Sequence, residues 1–370
     1  MKQKTIARWI AVGFLALAVL SAAPGKAGQG KTKDLLIGVK IYDHKGDLKS
    51  LFAQWCRLGI NTVFASPVLE SNQEFRSLAK KSGVATFIIV PIFFNSEELD
   101  KRSDLYAVTA QGEKASEEWV KFVCPTRQDY RSKMIDYVKS LVRDCDPDGI
   151  SLDFIRYFVF WEKVYPDRTL GSLPQTCFDA SCFGAFEKAT GLKIPPDLSE
   201  TSKKAQWIIA NHLEEWTKFK CAVIAGMIKD LAEAARQVKP DVKINVHTVP
   251  WRREDFGGAM RIIAAQDLAL IASLADYLSP MCYHHMLLRP PAWIHSVVAD
   301  VSDWTKGQVV PSIQVDKAYI EADLSASEFK AALAEALKPP SRGVVFWNWD
   351  TLEKSPEKKD AVEAALKPRD

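Results

Sequence analysis

Histidine is scarce in this chain, with six in 370 residues. Two of them, His284 and His285, are adjacent, and none stands in a His-x-His or His-Glu-x-x-His pattern. No two of the seven cysteines are spaced as Cys-x-x-Cys. A zinc site of short, recognisable ligand spacing is therefore not expected, and neither a metal nor a cofactor is called for. Glycines are only scattered through IGVKIYDHKGDL, the segment around the first apolar run, so a glycine-rich phosphate cradle is missing as well. No block of like charge stands out, which makes nucleic acid an unexpected partner. Internal repeats and low-complexity stretches are absent. The 47% apolar and 26% charged content is that of an ordinary folded chain.

One long apolar run is present, and it lies at the start. MKQKTIARWIAVGFLALAVLSAAPGKA carries Lys2, Lys4 and Arg8, then apolar residues from Trp9 to Leu20, then small residues. This order reads as a cleavable secretory signal over residues 1–27, with the cut after Ala27. The run is short for a membrane span, so no stable membrane association is expected after cleavage. Removing Lys2, Lys4, Arg8 and Lys26, with no acid lost, takes the formal charge from +3 to −1. The expected location is secreted or periplasmic. In such a compartment Cys177 and Cys182, close together in the loop-like TCFDASC, are the candidate disulfide. Cys56, Cys145 and Cys221 fall in helical patterns and are expected to be buried thiols.

Residues 28–370 alternate apolar strand-like runs with amphipathic helical stretches. The strand-like runs are LLIGVKIYD, NTVFASP, ATFIIVPIF, DGISLDFIRY, DVKINVHTVPW, DYLSPMCYHH, QVVPSIQVD and RGVVFWNWD. Eight such runs with helical crossovers predict an α/β fold, a single (β/α)8 TIM barrel. The fourth run is followed by a loop and helix insertion at about 158–205, and a long helix is expected from about Lys204 to Val238.

Barrel chemistry gathers at the C-terminal ends of the strands. Alternation in DGISLDFIRY points Ile150, Leu152 and Phe154 at the helices and Ser151 and Asp153 at the barrel axis. Asp148, at the start of that strand, falls on the opposite, stabilising face. The same rule turns Lys40 and Tyr42, Asn245 and His247, Ser279, Met281 and Tyr283, and Ser312, Gln314 and Asp316 inward. These are polar groups where a plain core would hold Val, Ile or Leu. Aromatic residues gather beyond the strand ends: Phe158, Phe160 and Trp161, Trp251, and Trp347 and Trp349 on either side of Asn348. Aromatic faces suit the C–H faces of sugar rings, and a tryptophan N–H seeks a polar partner.

The motif DGISLDFIRY resembles the fourth strand of the family-10-like glycosyl hydrolases, roughly Asp-Gly-Ile-x-Leu/Phe-Asp-x-x-Arg-Tyr. FEKATGLKIPPD resembles their insertion after that strand, WTKFKCAVIAGMIKDLAEAARQVKPDVKINV their helix into the fifth strand, and ADYLSPMCY their sixth strand. The likeness runs in order through most of the chain. It implies a TIM-barrel glycosidase with a carbohydrate substrate, in which Asp153 is the leading catalytic carboxylate and Arg156, Tyr157, His247, Tyr283 and Gln314 line the site. Lys40, Tyr42, Trp251, Trp347 and Trp349 join them as substrate-binding candidates.

Glycoside hydrolysis ordinarily needs two carboxyl groups. The second is not marked by a motif. Glu162 and Asp350 are the first choices, with Glu254, Asp255 and Asp316 behind them. A substrate-assisted route is disfavoured, because the Asp-x-x-Asp-x-Asp-x-Glu pattern of chitinase-type barrels has Ile155 at the glutamate position. The long loops after strands three and four suggest a cleft wider than a monosaccharide pocket. Two other readings remain open at this stage: a non-catalytic carbohydrate-binding barrel, and an esterase or metal-dependent deacetylase on the same fold.

Overall fold

The computed structural model describes residues 35–366. The expected signal segment lies outside the described residues. Eight parallel strands form the sheet: β1 (Leu36–Ile41), β2 (Thr62–Ala65), β3 (Ala85–Pro91), β4 (Gly149–Asp153), β5 (Lys243–Thr248), β6 (Tyr277–Pro280), β7 (Ser312–Gln314) and β8 (Gly343–Trp347). They pair in chain order from β1 to β6, and β1 also pairs with β8, which pairs with β7. Parallel bridges Leu278↔Val309 and Met281↔Ser312 join β6 to β7 and close the ring. The expected (β/α)8 barrel is thus the fold, with helices between the strands. Among the described residues no helix is long and apolar enough to cross a membrane.

Local signals set the helix boundaries. Asp47 accepts from the Ser50 amide at 2.7 Å to start Leu48–Arg57, and Asn72 caps Gln73–Ser82. That second helix stops at Gly83, whose φ of 66° suits a residue without a Cβ. The expected single helix of about 204–238 is instead two, Thr201–Asn211 and Leu213–Val238. The break falls at His212, whose φ is −140° and whose ring packs 4.6 Å from Trp207. The shorter insertion helix, Ala180–Thr190, starts at Asp179, whose carboxylate accepts from the Cys182 amide.

The barrel interior has two layers. The lower is apolar: Phe64 from β2, Phe87 and Ile89 from β3, Val345 from β8, and Val310 just before β7. Phe64 and Phe87 pack with ring centroids 5.1 Å apart. Gly38 and Gly149 make room for them, since a Cβ on Gly149 would lie 2.2 Å from the Phe87 ring and one on Gly38 2.8 Å from Phe64. Above this plug stands a polar layer. Ser279 Oγ donates to Asn245 Oδ1 at 2.8 Å, Asn245 Nδ2 donates to Ser151 Oγ at 2.9 Å, and Ser151 Oγ bonds His247 Nε2 at 2.9 Å. His247 lies 6.2 Å from the Phe64 ring, directly on the plug. Ile150 and Leu152 face the helices, in the main core. Asp148 Oδ2 accepts from the Thr86 amide at 2.8 Å at the N-terminal rim, a structural task, as its position at the strand start implied.

Candidate active site

At the C-terminal ends of the strands a pocket of about 140 Å³ is lined by Lys40, Tyr42, Trp119, Asp153, Phe154, Arg156, Trp161, Glu162, Met281, Tyr283, Tyr319 and Trp347. A larger hollow of about 730 Å³ opens at the opposite rim, beside Glu70, Asp148 and Lys239. It lies at the strand starts, away from the converging polar groups, so size does not identify the site here.

Asp153 ends β4 and is buried. Its Oδ1 accepts from the Phe154 amide at 2.8 Å. Phe154 does not continue the strand alternation toward the helices. Its φ is 49°, and its ring lines the pocket and stacks on Phe94 at 4.8 Å. Burial alone would raise the Asp153 carboxyl, but His247, Lys40, the Phe154 amide and Arg156 outweigh it and hold the group below the ordinary carboxylate range. Burial, with Lys40 adding to it, pushes the His247 imidazole down to about 3 against the pull of Asp153. The ring is therefore neutral above about 3, and at ordinary pH the pull on Asp153 comes from Lys40, whose own ammonium burial lowers, from the Phe154 amide and from Arg156. Lys40 is itself buried, and its Nζ donates to the Tyr283 hydroxyl at 3.4 Å.

Glu162 sits in the short helical turn Trp161–Lys163, buried and lining the same pocket. Among the described residues its Oε2 has no hydrogen-bond partner. Burial raises its carboxyl to about 7, and the charge of Asp153 adds to this, while Arg156 opposes it. One pocket thus holds two carboxyl groups driven in opposite directions, one ionised and one poised to carry a proton near neutrality.

Arg156 acts on both acids. Its guanidinium lies over the Phe122 ring at 4.8 Å and the Phe154 ring at 5.3 Å, and its Nε and Nη1 are buried without a hydrogen-bond partner among the described residues. Buried guanidinium donors left open beside a pocket are suited to a polar ligand.

The other expected residues divide. Trp347 lines the pocket and stacks on Tyr283 at 4.5 Å with 13° between the rings. Tyr42 forms part of the rim at 41% exposure. Tyr157 is fully buried behind Arg156, with the Lys220 ammonium over its ring at 5.2 Å. His247 is one layer below the lining. Gln314 braces the wall, accepting from the Met286 amide at 2.9 Å and donating to the Asp316 carbonyl at 2.9 Å. Trp251 is buried against Phe256, and Trp349 packs edge-on to Trp55 at 5.7 Å, so neither indole is in the lining. Asp350 stands in the first turn of helix Trp349–Glu353, and it too is not among the lining residues. Asp255 pairs with Arg252 at 2.8 Å, and Asp316 is exposed. Cys177 and Cys182 are free thiols and not a disulfide, Cys145 and Cys221 are buried as expected, and Cys56 is exposed.

Two lining residues, Trp119 and Tyr319, were not among those expected from the sequence. Trp119 is at the turn of a hairpin formed by Ser116–Glu117 and Val120–Lys121, inside the polar loop after β3. Tyr319 lies in the loop after β7. A lone tryptophan in the polar stretch EKASEEWVKF was the available clue for the first. The wide cleft expected from the long loops is instead a small pocket, because these loops fold over it.

No protein-family model matches the chain, and no curated protein sequence does. Solved structures do match its fold. The glycoside hydrolase domain of PgaB (BpsB) from Bordetella bronchiseptica aligns with a TM-score of 0.68 at 13% identity, over 91% of this chain and 100% of that one. A β-galactosidase from the psychrophilic Marinomonas ef1 aligns with a TM-score of 0.65 at 10% identity, over 89% of this chain and 58% of that one. A β-galactosidase of the Antarctic haloarchaeon Halorubrum lacusprofundi aligns at 0.63 and 12%, over 89% and 57%. The chain spans somewhat over half the length of these β-galactosidases and the whole of the PgaB domain. The class defined is the (β/α)8 barrel, in a form shared with glycoside hydrolases.

Proposed function

We propose that this chain is a secreted glycoside hydrolase that cleaves O-glycosidic bonds of an oligo- or polysaccharide. The observation that carries the reading is the pair Asp153 and Glu162: two carboxyl groups in one pocket at the strand ends, with proton affinities driven apart. Glu162 is the acid that protonates the leaving oxygen. Asp153, kept ionised, attacks the anomeric carbon or activates water. The open donors of Arg156 bind sugar hydroxyls, and the stacked Tyr283–Trp347 pair offers a face to a sugar ring. The small, roofed pocket favours a terminal sugar unit. The glycoside hydrolases that share the fold support the class, and the apolar segment after Lys2, Lys4 and Arg8 supports export.

The test is product release from a panel of bacterial and plant polysaccharides and aryl glycosides, comparing wild type with Asp153→Asn and Glu162→Gln. Release by wild type and loss in both variants supports the reading. Retained binding of a glycan without release, in wild type and variants alike, favours a carbohydrate-binding barrel instead.

A further inference from the structure

Behind the pocket wall the fold gathers a second chemical cluster. Cys124 follows the hairpin after β3, Cys177 comes from the insertion after β4, and Asp179 and Cys182 begin helix Ala180–Thr190. One ligand atom from each lies within 4.8 Å of the others. The three thiols are fully buried, and Cys124 Sγ is 3.4 Å from Cys182 Sγ.

We propose that Cys124, Cys177, Cys182 and Asp179 form a structural zinc site. Four ligands around zinc with Zn–S near 2.3 Å place sulfurs about 3.8 Å apart, so the observed spacing needs only small adjustments. A disulfide requires a sulfur separation of about 2 Å and joins only two of the three thiols. Three thiolates and a carboxylate form a closed, soft, four-coordinate set, which suits zinc over magnesium or calcium.

The surroundings are those of a ligand sphere. Asp179 Oδ1 accepts from the Cys182 amide at 2.7 Å, which fixes the carboxylate, while its Oδ2 has no hydrogen-bond partner among the described residues. The Val108 amide donates to Cys177 Sγ at 3.2 Å. The Thr126 hydroxyl stands 3.0 Å from Cys124 Sγ and 3.3 Å from Cys182 Sγ. Amide and hydroxyl donors of this kind orient thiolates around a metal. Arg127 Nε, 3.5 Å from Asp179 Oδ2, offsets part of the negative charge that four anionic ligands leave on a dication. Binding displaces the thiol protons to solvent and changes no oxidation state.

The ion would tie together the loops that follow β3 and β4. Cys124 is two residues from Phe122, on which Arg156 stacks. The site is independent of the proposed hydrolysis, and so is its test.

The full chain, reduced and stripped with a chelator, is titrated with Co2+. The expected result is thiolate-to-cobalt charge-transfer absorption with a tetrahedral pattern, saturating at one ion per chain and erased by Zn2+. Cys177→Ser and Cys182→Ser should each lower the absorption by about a third. Asp179→Asn should keep the absorption and weaken binding by roughly 10- to 100-fold. Elemental analysis of the untreated protein should find one zinc per chain. Absence of charge-transfer absorption in the reduced wild type, or absorption unchanged in the serine variants, overturns the proposal. So does an untreated chain that holds no zinc and is two hydrogens lighter than its sequence requires, which would mean that two of the thiols form a disulfide.

Discussion

Trp119 Nε1 donates a hydrogen bond to the Tyr319 hydroxyl at 2.8 Å, joining the loops after β3 and β7 over the pocket. Both rings pack against Phe160, and Trp119 also meets Phe94 and Phe154. Both side chains remain partly exposed, so the bridge stands at the solvent edge of the pocket. Tyr319→Phe removes the bond and keeps the ring. It should raise KM about 2- to 10-fold, with kcat changed less than 3-fold, as expected for a contact made equally in ground and transition states. Steady-state kinetics on a cleaved substrate checks this. A loss confined to kcat would show that the bridge does more than hold the substrate.

Asp153→Asn nearly preserves shape and removes the charge facing Lys40 and Arg156. The expected loss in kcat is about 10²-fold or more, with substrate binding retained. Kinetics together with calorimetric binding of an oligosaccharide distinguishes the two effects. Full activity in the variant would exclude Asp153 as a reacting group.

The two carboxyl groups predict a pH profile. On the proposed assignment Glu162 acts protonated and Asp153 ionised. Activity should therefore hold through mildly acidic pH and fall as pH rises through about 7, where Glu162 loses its proton. The acid limb lies below the ordinary carboxylate range, because Asp153 is held down. In Glu162→Gln the alkaline limb near 7 should vanish from the residual rate, measured with an activated aryl glycoside that needs little acid assistance. An unchanged alkaline limb would assign it to another group.

Glu70 is buried at the opposite end of the barrel, and among the described residues neither carboxyl oxygen has a hydrogen-bond partner. Burial raises it from an ordinary 4.5 to about 7, against the pull of the Arg76 charge. A carboxyl raised on folding contributes stability that is complete below about 4.5 and is lost as pH rises through 7. Glu70→Gln should therefore be more stable than wild type at pH 8, by up to about 3 kcal/mol, and the two should converge near pH 4.5. Urea midpoints at both pH values test this. Equal midpoints at pH 8 would refute the assignment.

Gly149 opens β4 beneath the site. Alanine there meets the Phe87 ring, and the resulting overpacking should destabilise the fold by about 1–3 kcal/mol. Adding Phe87→Leu to Gly149→Ala should restore part of that loss. Denaturation of both variants measures the coupling.

The barrel was legible in the chain because its eight apolar runs and their crossovers repeat in order. The polar layer was legible for the same reason: Lys40, Ser151, Asp153, Asn245, His247 and Ser279 interrupt runs that otherwise ask for aliphatic residues. Alternation failed at Phe154, where a positive φ follows the strand's end at Asp153 and turns a ring into the pocket. It could not choose between Glu162 and Asp350 either. That difference depends on which loop folds inward, and Glu162 lines the pocket while Asp350 does not. The tryptophans split for a similar reason. Trp347 closes a strand and meets Tyr283, while Trp349, two residues on, begins a helix and turns to Trp55. Trp119 and Tyr319 sit in loops with no period to read. The thiol cluster was invisible as a set, because Cys124 is remote in sequence from the TCFDASC segment that supplies its neighbours.

The apolar plug of Phe64, Phe87 and Val345 has a consequence for traffic. It seals the barrel below His247, so the pocket is a cul-de-sac. Whatever enters past Trp119 and Tyr319 must back out by the same door. On the proposed reading, a glycan meets Asp153 and Glu162 by an end or branch that enters at this mouth, and the freed unit leaves the way it came.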